Sequence, residues 1–151
     1  MIELTPIAVV KNGRQLMEDD QWGDVESTLQ LLPPLNEEAL AGIESISHVE
    51  VIFHFNQVAP EKIVNGARHP RNNEEWPMVG ILAQRGKDRP NRIGATICEL
   101  VSHSGSTLTV RGLDALDGTP VLDIKPVMQE FLPAAKVRQP DWSKKLMQNY
   151  W

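Results

Sequence analysis

Four cations are concentrated in residues 85–94, which have the sequence RGKDRPNRIG. Arginine suits phosphates, carboxylates and base stacking, and Gly94 lets the backbone come close to a ligand. The segment lies between two predicted strands, so an ordinary solvated hairpin loop would have a similar composition. Residues 85–94 therefore indicate either an anion or nucleotide contact or a charged surface loop.

Acidic residues are concentrated further along, in residues 112–126. Asp114, Asp117 and Asp123 lie within ten residues there. Asp117-Gly118 is a turn signal, so a tight turn between strands is the simplest interpretation. Asp123 interrupts an apolar run, which indicates an acid either paired with a cation such as Lys125 or displayed in a site.

Histidine and cysteine offer less chemistry. His48 and His54 share one face of a predicted strand but are about 20 Å apart along it, too far to bind one ion. The sequence has no Cys-x-x-Cys or His-Glu-x-x-His motif, and no metal site is predicted. The single cysteine, Cys98, excludes an internal disulfide and is expected to be buried and inert.

Short alternating or β-branched segments must position these residues. Strands are predicted at residues 2–10, 25–32, 48–55, 78–84, 93–102, 106–111 and 121–124. Two short helices are predicted, one capped by Asn36 and one capped by Asp141 and running through Asn149. This spacing favours a mainly β barrel or sandwich over a βαβ sheet.

Size and charge narrow the class further. The chain has 151 residues, which suits one domain over residues 1–151, and a net charge of −5. The charge argues against nonspecific nucleic-acid binding, although the cations of the middle segment could form one basic face. No apolar run is long enough to span a membrane and no signal peptide is recognised, so we expect a cytoplasmic protein.

Four stretches occur in an order and with gaps that resemble the TsaA-like tRNA methyltransferase family. They are residues 66–71 (GARHPR), 79–85 (VGILAQR), 89–94 (RPNRIG) and 113–126 (LDALDGTPVLDIKP). Characterised bacterial members methylate a threonylcarbamoyl-modified adenosine beside the tRNA anticodon. The resemblance implies a small antiparallel β-barrel of about six or seven strands that binds S-adenosyl-L-methionine at a homodimer interface. The sequence agrees in having no Gly-x-Gly-x-x-Gly after a strand, the signature of Rossmann-type cofactor sites.

The resemblance also assigns roles to residues. The cofactor contacts fall at Gln21, Asn56, Gln57, Arg85, Arg89, Asn91, Thr96, Asp114, Leu116 and Asp117. The adenine amine must lose a proton, and the candidates to accept it are Asp114, Asp117, His69 and His54. The cations expected to hold tRNA phosphates are Arg68, Arg71, Lys87 and Arg92.

Two departures from the family keep an alternative open. Arg92 stands where the family commonly has proline, and the bacterial members carry an additional C-terminal domain that we do not expect in these 151 residues. Cofactor binding therefore carries over better than the acceptor does. The alternative is a cofactor-binding module, or a methyltransferase with a non-tRNA acceptor.

Overall fold

The computed structural model describes residues 1–151 and contains eight strands and one short α-helix. The strands are β1 Ala8–Lys11, β2 Glu26–Leu31, β3 His48–His54, β4 Ala67–Arg68, β5 Val79–Gly80, β6 Ile93–Ser104, β7 Thr107–Arg111 and β8 Pro120–Pro126. The helix is α1, Asp141–Leu146, and seven 3-10 turns complete the regular structure.

Six strands close into an antiparallel barrel in the order β1-β2-β7-β6-β3-β8, while β4 and β5 form a separate two-stranded sheet. The predicted mainly β fold is confirmed, and the structure is a barrel and not a sandwich. Alternation explains the closure: Val49, Val51 and Phe53 of β3 are buried, whereas the residues between them face outward. Gly105, with a φ of +57°, makes the tight turn between β6 and β7.

The antiparallel order decides which connections share an end of the barrel. Since each strand reverses direction, residues 12–25, 55–92 and 112–119 all lie at one end, and residues 32–47 and 105–106 lie at the other. We call the first of these the loop end. Both segments selected for their chemistry are therefore close to the loop end.

Gly94 is required inside the barrel at this end. A Cβ there would lie 2.6 Å from Cζ of Phe53 and 2.8 Å from Cζ of Phe55, closer than real Cβ contacts allow. The two rings pack edge to face with centroids 5.2 Å apart. Gly94 thus makes room for the core rings, a role that the sequence interpretation did not foresee.

Several element predictions were wrong in part. Of residues 78–84 only Val79–Gly80 is a strand, and it pairs with β4 outside the barrel. The next residues form a 3-10 turn because the Gln84 amide donates to the carbonyls of Arg68 and Val79 and fixes the chain there. The first strand begins at Ala8 and not at residue 2.

The helix predictions were closer. Asn36 caps as expected, with its side chain accepting the Glu38 N–H at 3.0 Å, but only a 3-10 turn follows. Helix α1 ends at Leu146, and Pro140 occupies the N-cap position assigned to Asp141. No helix has the length and apolar character that crossing a bilayer would require.

Candidate functional site

The carboxylate of Asp114 is the centre of a polar cluster at the loop end. Asp114 follows β7 after Gly112, whose φ of +84° turns the chain back over the barrel. Its Oδ1 accepts the hydroxyl hydrogen of Thr96 on β6, and its Oδ2 accepts the phenol hydrogen of Tyr150. Thr96 is buried, so the carboxylate is anchored to the barrel wall.

Tyr150 enters this cluster from a segment beyond α1. The carbonyl oxygens of Asn149 and Tyr150 accept the N–H groups of Gln21 and Trp22 at 2.9 and 2.8 Å. Burial and then the charge of Asp114 raise the pKa of the Tyr150 phenol above its usual range, against a smaller lowering by nearby Arg71 and Arg85. The phenol therefore remains protonated and donates to Asp114.

Arg85 links the arginine-rich segment to the same place. Its guanidinium donates to the Ala95 carbonyl at 2.5 Å, beside Thr96. Arg89 instead folds back on its own hairpin and donates to the Gln84 carbonyl at 2.7 Å. The arginine-rich and aspartate-rich segments are thus brought together through Arg85 and Asp114, while Arg89 and Asp117 make no ion pair with each other.

Residues 14–22, which we call the acidic loop, touch both segments. Arg71 pairs with Asp20 at 2.9 Å, and Nζ of Lys87 lies 3.8 Å from Asp19. On the other side, the Asp117 N–H donates to the Arg14 carbonyl at 2.9 Å. The acidic loop therefore joins the basic residues of the long connection 55–92 to the turn that contains Asp117.

Unusual backbone conformations are concentrated among the predicted site residues. Five non-glycine residues have positive φ, and four of them were assigned to the site: Gln21 (69°), Arg71 (51°), Asn91 (64°) and Arg92 (51°). The fifth is Asn72. Such conformations cost energy and persist where the surroundings enforce them, commonly at ligand sites.

The remaining predicted phosphate ligands have protein partners. Arg68 pairs with Asp88 at 2.6 Å, and Arg92 donates to the Val58 carbonyl at 2.6 Å. Nε of Arg68 is buried with no partner. These two arginines hold the connection 55–92 together in the structure as it stands.

The other cofactor candidates are less engaged. Asn56 and Gln57 are exposed immediately after β3, Asn91 is exposed in its hairpin, and Leu116 is half-buried. Asp117 accepts the Asn12 N–H at 2.9 Å and so ties the connection before β8 to the end of β1.

The histidines and the cysteine differ in availability. Nδ1 of His69 lies 2.7 Å from the Trp76 carbonyl; a carbonyl can only accept, so Nδ1 donates this hydrogen bond. Burial and then the charge of Arg92 lower the pKa of His54. Cys98 is buried as predicted, and burial, followed by the charge of Asp114, raises its pKa to about 12. Asp123 pairs with Lys125 at 3.0 Å.

Sequence reasoning missed two residues of this end, Tyr150 and Arg14. Tyr150 is the only tyrosine, and Arg14 is one of two cations in the first fifty residues; these were the available signals. The Arg14 guanidinium lies 3.9 Å from the Trp22 ring centroid and donates to the Gln21 carbonyl at 2.7 Å. Nε of Arg14 is also buried without a partner.

These features define a class of protein: a small closed antiparallel barrel whose connections gather a carboxylate and several guanidinium groups at one end. The family model for the tRNA-methyltransferase O N-terminal domain matches residues 17–131, which include Asp19 and Asp20 of the acidic loop, the arginine-rich segment and Asp114. The chain belongs to this family.

Individual relatives agree with that assignment. A putative S-adenosylmethionine-dependent methyltransferase of Pseudomonas aeruginosa is 44% identical over 100 residues, which cover 66% of this chain and 43% of the relative. The human tRNA (adenine(37)-N6)-methyltransferase is 35% identical over 104 residues, covering 69% of this chain and 23% of the human protein. The crystal structure of TrmO from Pseudomonas aeruginosa aligns with a TM-score of 0.75 at 31% identity, covering 91% of this chain and 61% of that chain. This chain therefore spans less than two thirds of the length of each of these relatives.

Proposed function

We propose that the protein is an S-adenosylmethionine-dependent methyltransferase that acts on the exocyclic amine of a modified adenosine next to the tRNA anticodon. The observation that carries the proposal is the Asp114 cluster: Asp114, Thr96 and Arg85 lie within the residues matched by the family model, Thr96 donates to the Asp114 carboxylate, and Arg85 donates to the neighbouring Ala95 carbonyl. The names of the Pseudomonas and human relatives supply the cofactor and the acceptor.

The charges at the loop end fit this cofactor. S-adenosylmethionine carries a sulfonium cation and a carboxylate, and it supplies an electrophilic methyl group. Asp114 provides a negative charge for the cation, and Arg85 provides a guanidinium suited to a carboxylate. The exposed side chains of Asn56 and Gln57 offer further hydrogen bonds. The remaining proposed cofactor residues would act by setting the backbone conformation of the connections around the site; they are Arg89, Asn91, Leu116 and Asp117.

The proton acceptor is best assigned to His69. Both oxygens of Asp114 already accept hydroxyl hydrogens, and Asp117 is bonded to Asn12. In the neutral imidazole, Nε2 of His69 would carry the lone pair, on the side of the ring away from the Trp76 carbonyl, and His69 is two residues from Arg71, whose charge acts on the Tyr150 phenol. Asp114 then acts mainly on the charge of the cofactor, and methyl transfer depends chiefly on alignment.

Acceptor binding is assigned to the basic residues of the long connection. Arg71 and Lys87 would contact phosphates after releasing Asp20 and Asp19, and Arg68 and Arg92 would support the loop or exchange partners in the same way. These existing pairs favour keeping the alternative of a cofactor-binding module or a different acceptor, because free cations are scarce.

A homodimer in the cytoplasm completes the proposal. Ile93, Ile97 and Val101 of β6 are apolar and exposed, with exposed fractions of 36%, 44% and 38%, although the charged Glu99 lies between the last two. Burying these three side chains against a second copy would remove apolar area from water. Light scattering that gives a monomer mass at micromolar protein would contradict this part.

Calorimetry with S-adenosylmethionine, followed by methyl transfer to total tRNA, tests the function. Asp114→Asn should weaken cofactor binding by about tenfold or more, since it removes a partly buried charge. Asp123→Asn is the matched control, because that aspartate pairs with Lys125 on β8. Cofactor binding without transfer would favour the alternative, and no binding by the wild-type protein would refute both.

A further inference from the structure

We propose that Tyr150 is a positioning residue of the cofactor site, holding the Asp114 carboxylate through its phenol hydroxyl while residues 149–151 lie docked on the acidic loop. This inference rests on the proposed function, because it concerns the same site. Tyr150 lies outside the residues matched by the family model, which end at residue 131. The family comparison therefore assigns it no role.

Three independent contacts dock the segment. Two are the backbone hydrogen bonds from Gln21 and Trp22 to the carbonyls of Asn149 and Tyr150. The third is the close packing of Trp151 on Gly23, where an added Cβ would lie 2.7 Å from the Trp151 carbonyl carbon. Backbone on both sides leaves no flexible side chain to give way, so the seat requires glycine at position 23.

The docked segment places the phenol where it completes the coordination of Asp114. Thr96 of the barrel wall donates to Oδ1, and Tyr150 of the docked segment donates to Oδ2. A carboxylate fixed at only one oxygen can still rotate about its terminal torsion, which has a broad energy profile. Hydrogen bonds to an ionised carboxylate are stronger than those between neutral groups. Because donors hold both of its oxygens, Asp114 keeps one orientation.

The consequence is a preorganised negative charge. A group fixed before the ligand arrives loses less conformational freedom on binding, and affinity rises accordingly. Tyr150 thus acts on the cofactor through Asp114, and its effect should disappear when Asp114 cannot respond.

Tyr150→Phe tests the role, because it keeps the ring and removes only the hydroxyl. Calorimetry should show about tenfold weaker S-adenosylmethionine binding, as expected for losing a hydrogen bond to a charged group. Ser143→Ala is the control: it removes a hydroxyl that donates to the Pro140 carbonyl at 2.7 Å in the same part of the chain and does not touch Asp114. Its binding should match the wild type.

A double-mutant cycle separates positioning from a general structural effect. If Tyr150 acts through Asp114, Tyr150→Phe should add little once Asp114→Asn is present; additive losses would overturn the inference. Gly23→Ala should displace the segment and weaken binding to a similar extent with Tyr150 intact. It also serves if Tyr150→Phe folds poorly.

The outcomes distinguish this inference from the proposed function. Failure of the wild-type protein to bind S-adenosylmethionine refutes the function itself. Wild-type binding with unchanged affinity in both Tyr150→Phe and Gly23→Ala refutes only the role of Tyr150. Tighter binding by either variant also refutes it, since the segment would then be competing with the cofactor.

Discussion

Replacing Gly94 with alanine should destabilise the barrel where it carries the site. The new Cβ would lie 2.6 and 2.7 Å from Cζ and Cε2 of Phe53 and 2.8 Å from Cζ of Phe55. Phe53 is 1% exposed and has no space to retreat. Overpacking of this kind costs about 1–3 kcal/mol. Alanine recovers about 0.4–1 kcal/mol by restricting the unfolded chain, so the midpoints of the two ranges give a net loss of about 1.3 kcal/mol.

Urea unfolding followed by tryptophan fluorescence measures this loss. Gly80→Ala is the control, because Gly80 has φ −60° and ψ 148°, which alanine adopts freely, and its Cβ would meet nothing within 4 Å. That variant should be unchanged or slightly more stable. If Gly94→Ala were as stable as Gly80→Ala, the tight packing of the two rings against β6 would be refuted.

Three further predictions follow from the charges at the loop end. The single tyrosine allows a direct titration of Tyr150 by ultraviolet difference absorbance; because its folded pKa is raised, ionisation should begin well above pH 10, and the stability that it contributes should fall as the pH rises beyond 10. Titration at the ordinary value would show that the phenol is not buried against Asp114. The lowered pKa of His54 means that the unfolded chain takes up a proton first, so the unfolding free energy should fall as the pH drops below about 6.5, and His54→Gln should flatten that slope in denaturation curves. An unaltered slope would exclude His54 as its source. Asp19 lies within 4 Å of both Arg71 and Lys87, so Asp19→Asn should strengthen tRNA binding in filter assays, whereas Lys87→Gln should reduce the magnitude of the log–log salt slope by about 0.7 to 0.9. Salt-independent binding would refute phosphate contacts by this segment.

The strands that sequence predicted best are those whose two faces differ. Residues 48–54 alternate between buried and exposed positions, and the same period is visible in β7. Residues 78–84 were mistaken for one strand because a short apolar run looks alike in a strand and in a turn. The deciding contact, the Gln84 amide on the Arg68 carbonyl, joins residues 16 apart in the chain. No local period encodes such a contact.

The same distinction applies to the site. Asp114 and Arg85 lie in motifs that can be recognised by order and spacing, and barrel topology brings their connections to one end. Tyr150 could not be found in this way, since its contact with Asp114 spans 36 residues and depends on how the segment beyond α1 returns to the acidic loop. Arg89 and Asp117 show the converse: their residue types fit the chemistry, but Arg89 donates to the Gln84 carbonyl in its own connection and Asp117 accepts from the Asn12 N–H at the end of β1.

The ion pairs at the loop end also bear on how a protein with a net charge of −5 could bind the proposed nucleic-acid substrate. Arg68, Arg71 and Lys87 each lie within 4 Å of an acid. Their charges are therefore partly neutralised within the protein, which limits nonspecific attraction of polyanions. Binding of a phosphate by Arg71 or Lys87 would require the release of Asp20 or Asp19. These two acids immediately precede Gln21, whose N–H donates to the Asn149 carbonyl. The acidic loop makes both the ion pairs with the basic residues and the hydrogen bonds to residues 149–151. Displacement of Asp19 and Asp20 by RNA would therefore shift the loop on which residues 149–151 are docked, and with it the Tyr150 hydroxyl that donates to Asp114. Acceptor binding and the orientation of the cofactor carboxylate are therefore expected to be coupled through the acidic loop.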